Sequence, residues 1–527
     1  VRDFDRASSF TWTPLHEGSY RIQATVKDGF TATAATSAMT TFAITSRAFG
    51  NHAVVNPTAN PLVALYSVPA CATGTVVVQF RPATGSTAWQ SMAAQPCSTG
   101  QSVNVLVAGM RPNTRYVLQH VLSSGKTSTT SPQITFTTGK VPAGLKIASF
   151  TVPLAPTAKA YVKSPLTFHA LNPSPSPALA NPVATDLSGH LVWYYDTLHS
   201  GLAEIWPVHI VPGGTALLFG RNRSHATGDN VFREVDLAGD TVRETNIDAV
   251  SAQLARRGQE PIYEFHHDAL RLPDGDTAVL GATQKKVNGH DVMSDMVVVL
   301  DTGFQVVWNW DMFDHFSPPA TFPVGTPTCV IVGPALCGLP DPKSIDWTHG
   351  NGLAWSAQDG NLIVSFRNTA LVIKIAYQNG HGTGKVLWRL GKGGDFSINS
   401  SDPYPWFSQQ HNANYVNATD MVIYDDGNTR CQNGKVKGCH SRGQEYRVDE
   451  QHHTATLLLN ADLGAFWQAL GSAQGLPNGD ATFAGGFAGP GYKGPSKEEE
   501  FSPHGTKVYE QDTPLPVYRA YRLTALS

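Results

Sequence analysis

The sequence predicts an all-β protein in which a six-bladed β-propeller follows smaller β-sandwich modules. Three observations predict it. Apolar residues fall in short Val/Ile/Thr/Tyr-rich runs and not in the long 3.6-residue stripes of amphipathic helices. These runs are punctuated by 48 glycines and 35 prolines, the residues that tight turns between short strands require. From about residue 145 onward a unit made of a hairpin signal and an aromatic strand recurs. Radial repetition of such units leaves few sheet edges exposed, whereas a stacked solenoid would need shorter and more even repeats.

Taken in order, residues 1–48 contain FTWTPLHEGSYRIQATVKDGF, which alternates through Tyr20, Ile22, Ala24 and Val26. This looks like the last strands of an immunoglobulin-like module, too short for a whole sandwich. Residues 49–141 carry GTVVVQFRPA, VNVLVAGMRPNTRYVLQHVLSS and PQITFTTGK. They resemble a fibronectin type III β-sandwich, expected to act as a spacer. Residues 145–527 hold the repeat. Its hairpin signals are VPGGTALLFG at 211, LPDGDTAVLG at 272, QDGNLIVSFR at 358 and LPNGDATFAG at 476, with NATDMVIYDDG at 417 as a degenerate copy. Its aromatic strands centre on Trp193, Trp308, Trp388 and Trp467, with weaker members near Val242 and Tyr518. The recurrence of the tryptophans marks packing between blades and not substrate stacking.

Composition removes several function classes. The 38 basic and 41 acidic residues leave a formal charge of −3, and no Lys/Arg run could neutralise successive phosphates, so nucleic acid is not an expected partner. No apolar run approaches the roughly 20 residues of a membrane span. GKGGDF at 391 lacks the spacing of a phosphate loop and reads as a turn. The six cysteines form three near pairs, Cys71 with Cys97, Cys329 with Cys337, and Cys431 with Cys439. Disulfides are the favoured reading, although spacing does not fix connectivity. They imply an oxidising compartment, hence a secreted, periplasmic or cell-surface protein. The opening on Val1, without a signal peptide, suits a processed one.

Innermost propeller strands line a central channel, so polar residues at equivalent repeat positions converge. His267 precedes Asp276 by the same nine positions as His411 precedes Asp420. His349 precedes Asn361 by twelve, but across the longer turn WSAQDGN, which brings His349 and Asn351 to the same level. Arg367, at the end of LIVSFRN, follows on the next strand of that blade. Three imidazoles, an amide and a guanidinium suit an oxyanion better than a divalent cation, which an adjacent guanidinium opposes. A neutral imidazole can also act as a nucleophile. No metal and no cofactor is expected. His266 should face away from His267, because adjacent strand residues point to opposite sides. His209 is out of step and reads as structural, as do His452 and His453. Asp425 and Asp426 in DDGNTR read as turn residues.

The runs FHHDALRLPDGDTAVLG, DWTHGNGLAWSAQDGNLIVSFRN, VLWRLGKGGDF, QQHNANYV, VIYDDGNTR, SRGQEYRVDE and GSAQGLPNGDATF, collinear over roughly residues 180 to 525, are similar to those of the bacterial arylsulfate sulfotransferases. The resemblance implies ping-pong transfer of a sulfuryl group from a phenolic sulfate donor to a phenolic acceptor through a transiently sulfated histidine, without a nucleotide cofactor. By motif the nucleophile maps onto His411, with sulfuryl binding and acid/base roles on His267, His349, Asn351 and Arg367. His267 is expected to handle the phenol proton, while Arg367, Asn351 and His349 hold the equatorial oxygens. Cys431 and Cys439 depart from the family pattern by following His411, where a disulfide before it is expected. Two readings stay open beside this one, an extracellular binding or structural propeller with an Ig-like stalk, and a sulfate-ester hydrolase using the same residues. A homo-oligomer is left open as well.

Overall fold

The computed structural model of the chain describes all residues except 1, 3–9, 28–33, 49, 86–87, 173–177, 212–213, 223–229, 323–326, 330–338, 433–435, 437, 489–494 and 527. The architecture is all-β. Gly18–Lys27 and Ala34–Ile44 form a two-stranded antiparallel sheet. Its apolar Ile22, Val26 and Phe42 are exposed. Next come two sheets over one core. One has three strands, Val54–Pro57, Ala64–Val68 and Val103–Val107; the other is built around Thr75–Pro82 and Arg115–Ser124. Cys71 and Cys97 are disulfide-bonded there. This unit is docked on the sheets formed by the rest of the chain, since the side chain of Asn60 donates to the carbonyl of Tyr194 at 2.9 Å and Arg111 pairs with Asp186 at 2.5 Å.

That larger part folds into six sheets, each built on four antiparallel strands running outward from a first strand. The first strands of sheets two to six are Leu202–Val211, Glu264–Arg271, Gly350–Trp355, His411–Tyr415 and Trp467–Gly475. In sheet one that place is taken by Val517–Leu523 from the far end of the chain, which pairs with Leu166–Leu171. These first strands lie side by side in succession. Thr151–Leu154 adds an outer strand to sheet six.

The hydrophobic core is divided into layers between neighbouring sheets. Phe219 and Phe232 of sheet two meet Phe265 and Val298 of sheet three. Val297 and Trp310 meet Leu353 and Val364; Ile363 and Trp388 meet Met421 and Tyr446; Val422 and Tyr424 meet Phe483 and Phe501. Leu171, Val517 and Ala520 then pack on Ala484, which brings sheet six against sheet one. Strands covered on both faces carry continuous apolar runs in place of alternation, as in the fully buried LIVSF of Leu362–Phe366. The hairpin signals at 272, 417 and 476 fall on turns between first and second strands. Trp193, Trp308 and Trp388 lie on outer fourth strands, where packing was expected. Trp467 differs, because it opens the first strand of sheet six, and the fourth strand of sheet five is Thr454–Asp462.

Cys431 and Cys439 are disulfide-bonded. Cys329 is disulfide-bonded as well, and Cys337 lies outside the described residues. Among the described residues no helix is long and apolar enough to cross a membrane.

Candidate active site

One backbone device recurs where the candidate residues sit. The first strands of sheets three, four and five each carry a register shift, at His266/Ala269, Gly350/Gly352 and His411/Ala413. Left-handed backbone falls on His267 (φ 56), His349 (φ 54) and Asn412 (φ 50). Non-glycine residues held there cost about 1–3 kcal/mol each, and such bulges re-aim side chains. The result is a meeting of rings from separate sheets. The rings of His267 and His349 lie edge to face with centroids 4.7 Å apart. Both line a cavity walled by Trp206, Phe265 and Met293, apolar surfaces suited to an aromatic ring.

His411 is 1% exposed and lies beside this cavity without lining it. Its Nδ1–H donates to both carboxylate oxygens of Asp426, at 3.0 and 3.1 Å. Arg367 Nε stands 3.6 Å from the same carboxylate, and its backbone N–H donates to the His349 carbonyl at 3.0 Å. Burial holds the His411 imidazole well below its ordinary pKa, with the charges of Arg367, His349 and Arg519 adding to it. Burial likewise pushes Asp426 up, against the opposing guanidinium of Arg367. The amide of Asn351 donates to the carbonyl of Gln410 at 2.7 Å. Its Oδ1 is buried without a hydrogen-bond partner.

His349, His267, His411, Asn351 and Arg367 are therefore brought into one neighbourhood. Several participants escaped the sequence reading. His349 Nδ1–H donates to Asp346 at 2.5 Å, and Asp426, read as a turn residue, holds His411. Arg519, on the closing strand Val517–Leu523, pairs with Asp268 at 2.7 Å and donates to the carbonyl of Asn351 at 2.6 Å. Asp268 also accepts from His209 at 3.1 Å, so His209 has the structural place expected of it. These carboxylates lie three or more residues from their rings in sequence, and only the Asp346/His349 spacing offered a local signal.

His266 differs from expectation. It does not turn away from His267: the two Nδ1 atoms are 2.9 Å apart, and both residues line the cavity. The bulge after His266 breaks the two-residue alternation on which the expectation rested. Pairing register also sets His266, and not His267, level with His411. Each is the last paired residue before its bulge, opposite Leu280 and Tyr424.

No curated protein sequence matches the chain. Among solved structures the likenesses are remote. A putative 6-phosphogluconolactonase from Bacteroides uniformis is 9% identical, over 66% of this chain and 82% of that one, with a TM-score of 0.34. The Dos1 propeller is 10% identical, over 70% of this chain and 95% of that one, with a TM-score of 0.29. Neither bears on the chemistry. The family comparison carries further, because the arylsulfotransferase (ASST) family model matches residues 152–516. That span, well over half of the sequence, takes in His267, His349, Asn351, Arg367 and His411, and the chain belongs to the arylsulfotransferase (ASST) family.

Proposed function

We propose that the six sheets are the blades of a propeller housing an aryl-sulfotransferase that moves a sulfuryl group from a phenolic sulfate ester to a phenolic acceptor by a ping-pong route through sulfated His411. The observation that carries this reading is the presentation of His411. Asp426 occupies its Nδ1, which leaves the Nε2 lone pair as the nucleophile, and burial keeps the ring uncharged. A neutral, oriented imidazole is what nucleophilic catalysis requires.

In the first half-reaction His411 Nε2 attacks sulfur and the bond from sulfur to the donor's phenolic oxygen breaks. The leaving oxygen takes a proton from His267. In the second half the acceptor's oxygen attacks sulfur, the N–S bond breaks, and the acceptor's proton returns to His267. Arg367, Asn351 and His349 are the donors for the equatorial oxygens, fixed before charge develops there. Trp206, Phe265 and Met293 supply apolar surface for the ring. The bonded cysteines agree with a secreted, periplasmic or cell-surface setting, and the N-terminal sheets are read as an Ig-like and fibronectin type III-like stalk.

The test is release of a fluorescent phenol from its sulfate ester by the purified protein, with and without a second phenol. Release that rises with acceptor, and yields the sulfated acceptor, is expected. Release independent of acceptor would identify a hydrolase, and none across a range of donors would leave a binding protein.

A further inference from the structure

The adjacent pair His266–His267 is the part of the site to which the transfer scheme gives only half a role. His267 must be an acid in one half-reaction and a base in the other. Yet it cannot comfortably hold a positive charge, because burial, with the charges of His349, His266, His411 and Arg519 adding to it, holds its pKa well below the ordinary value. His266 is placed differently. It is 8% exposed, and its Nε2 lies 3.2 Å from Asp295 Oδ1. Burial works against a charged His266, but Asp295, helped by Glu264 and Asp346, outweighs it and raises its pKa. Asp295 is fixed in turn by Thr348 and by the backbone N–H of Gly350 at 2.8 Å.

Two Nδ1 atoms 2.9 Å apart hold one hydrogen between them. We propose that Asp295, His266 and His267 form a proton relay in which His266 stores the proton that His267 gives and takes.

The relay rests on the transferase reading, and its protons balance over the two half-reactions. At the start His266 is an imidazolium, its Nε2–H facing Asp295 and its Nδ1–H donating to His267 Nδ1, while His267 is neutral with its proton on Nε2. As the donor's S–O bond breaks, the Nε2 proton passes to the leaving phenolic oxygen and the His266 Nδ1 proton crosses to His267 Nδ1. Both rings are then neutral, and His267 Nε2 has a free lone pair. The acceptor's phenolic proton fills it in the second half, and the Nδ1 proton returns to His266. His267 never carries a full positive charge, and the charge appears only beside Asp295. His266 acts through His267 and is a positioning residue.

His266→Asn keeps a hydrogen-bonding group near His267 but cannot store the proton. A good leaving group needs little protonation and a poor one needs it fully. The rate ratio for 4-nitrophenyl sulfate over phenyl sulfate should therefore rise at least about tenfold in His266→Asn, and in the same direction in Asp295→Asn. Equal slowing of both donors would overturn the relay, since loss of packing has no reason to depend on the leaving group. A second measurement needs no variant. In 15N spectra of the histidine-labelled wild-type protein His266 should take up the proton as pH falls while His267 stays neutral, and the reverse order would overturn the proposal. Absence of transfer by the wild type from any donor would instead count against the transferase reading.

Discussion

Two regions of this molecule bury ionisable side chains, and they do so in different ways. Around the cavity, His267, His349 and His411 come from three different sheets, each beside a register shift of a first strand. In sheet six, Glu498, Glu499 and Glu500 sit on Ser496–Phe501, where Lys507 on the adjoining strand pairs with Glu499 and Arg522 reaches Glu500 from the first strand of sheet one. Lys497 and Lys507 meet Glu510 at 2.6 Å each, and Arg522 meets Glu500 at 2.6 Å. Burial pushes Glu498 up to about 7, so perturbed acidity marks both regions equally. What sets the first apart is that its imidazoles meet at an apolar cavity. Burial by itself makes a charged group costly; convergence makes it useful.

The sharpest way to break that distinction is to delete one group from each region. His411→Ala should lower transfer by at least about a thousandfold, on the scale of other nucleophile deletions, as read by phenol release; retained turnover would move the nucleophile elsewhere. Arg522→Met strips Glu500 of its buried partner, and should cost about 3–5 kcal/mol of stability in urea unfolding while the folded fraction keeps its kcat. A fall in kcat without a loss of stability would erase the difference between the regions. Arg367→Ala should cut turnover about a hundredfold or more, the usual consequence of losing one fixed donor; an unchanged rate would remove Arg367 from the site. The smallest effect is on pH dependence. Glu498, with a folded pKa near 7 against an ordinary 4.5, contributes stability at low pH that is lost as pH rises from about 4.5 through about 7. The thermal midpoint should fall over that interval, less steeply in Glu498→Gln.

Much of the fold was legible because turn chemistry is local. LPDGDT and LPNGDA announce their hairpins wherever they occur, and the runs between them are apolar on both faces because a sheet lies on each side. The assignment of Trp467 failed because a fourth strand and a first strand share the same apolar-aromatic pattern, and only pairing tells them apart. In the site, counting from the hairpins found His267, His349 and His411. It assumed strict alternation, and the bulge that carries His267 at positive φ hid the role of His266. Asp426, Asp295 and Arg519 were out of reach of counting, since their partners come from distant sequence.

The strand Val517–Leu523 has a bearing on how the molecule is made. It completes the first sheet and brings Arg519, which braces Asp268 and Asn351. During synthesis its partner Leu166–Leu171 leaves the ribosome hundreds of residues earlier and must wait for it. Loop closure of that length is slow. The chemistry is thereby placed under a timer: a nascent chain, or one terminated before this strand, cannot assemble the bracing of its own site, and competence arrives only when the strand does.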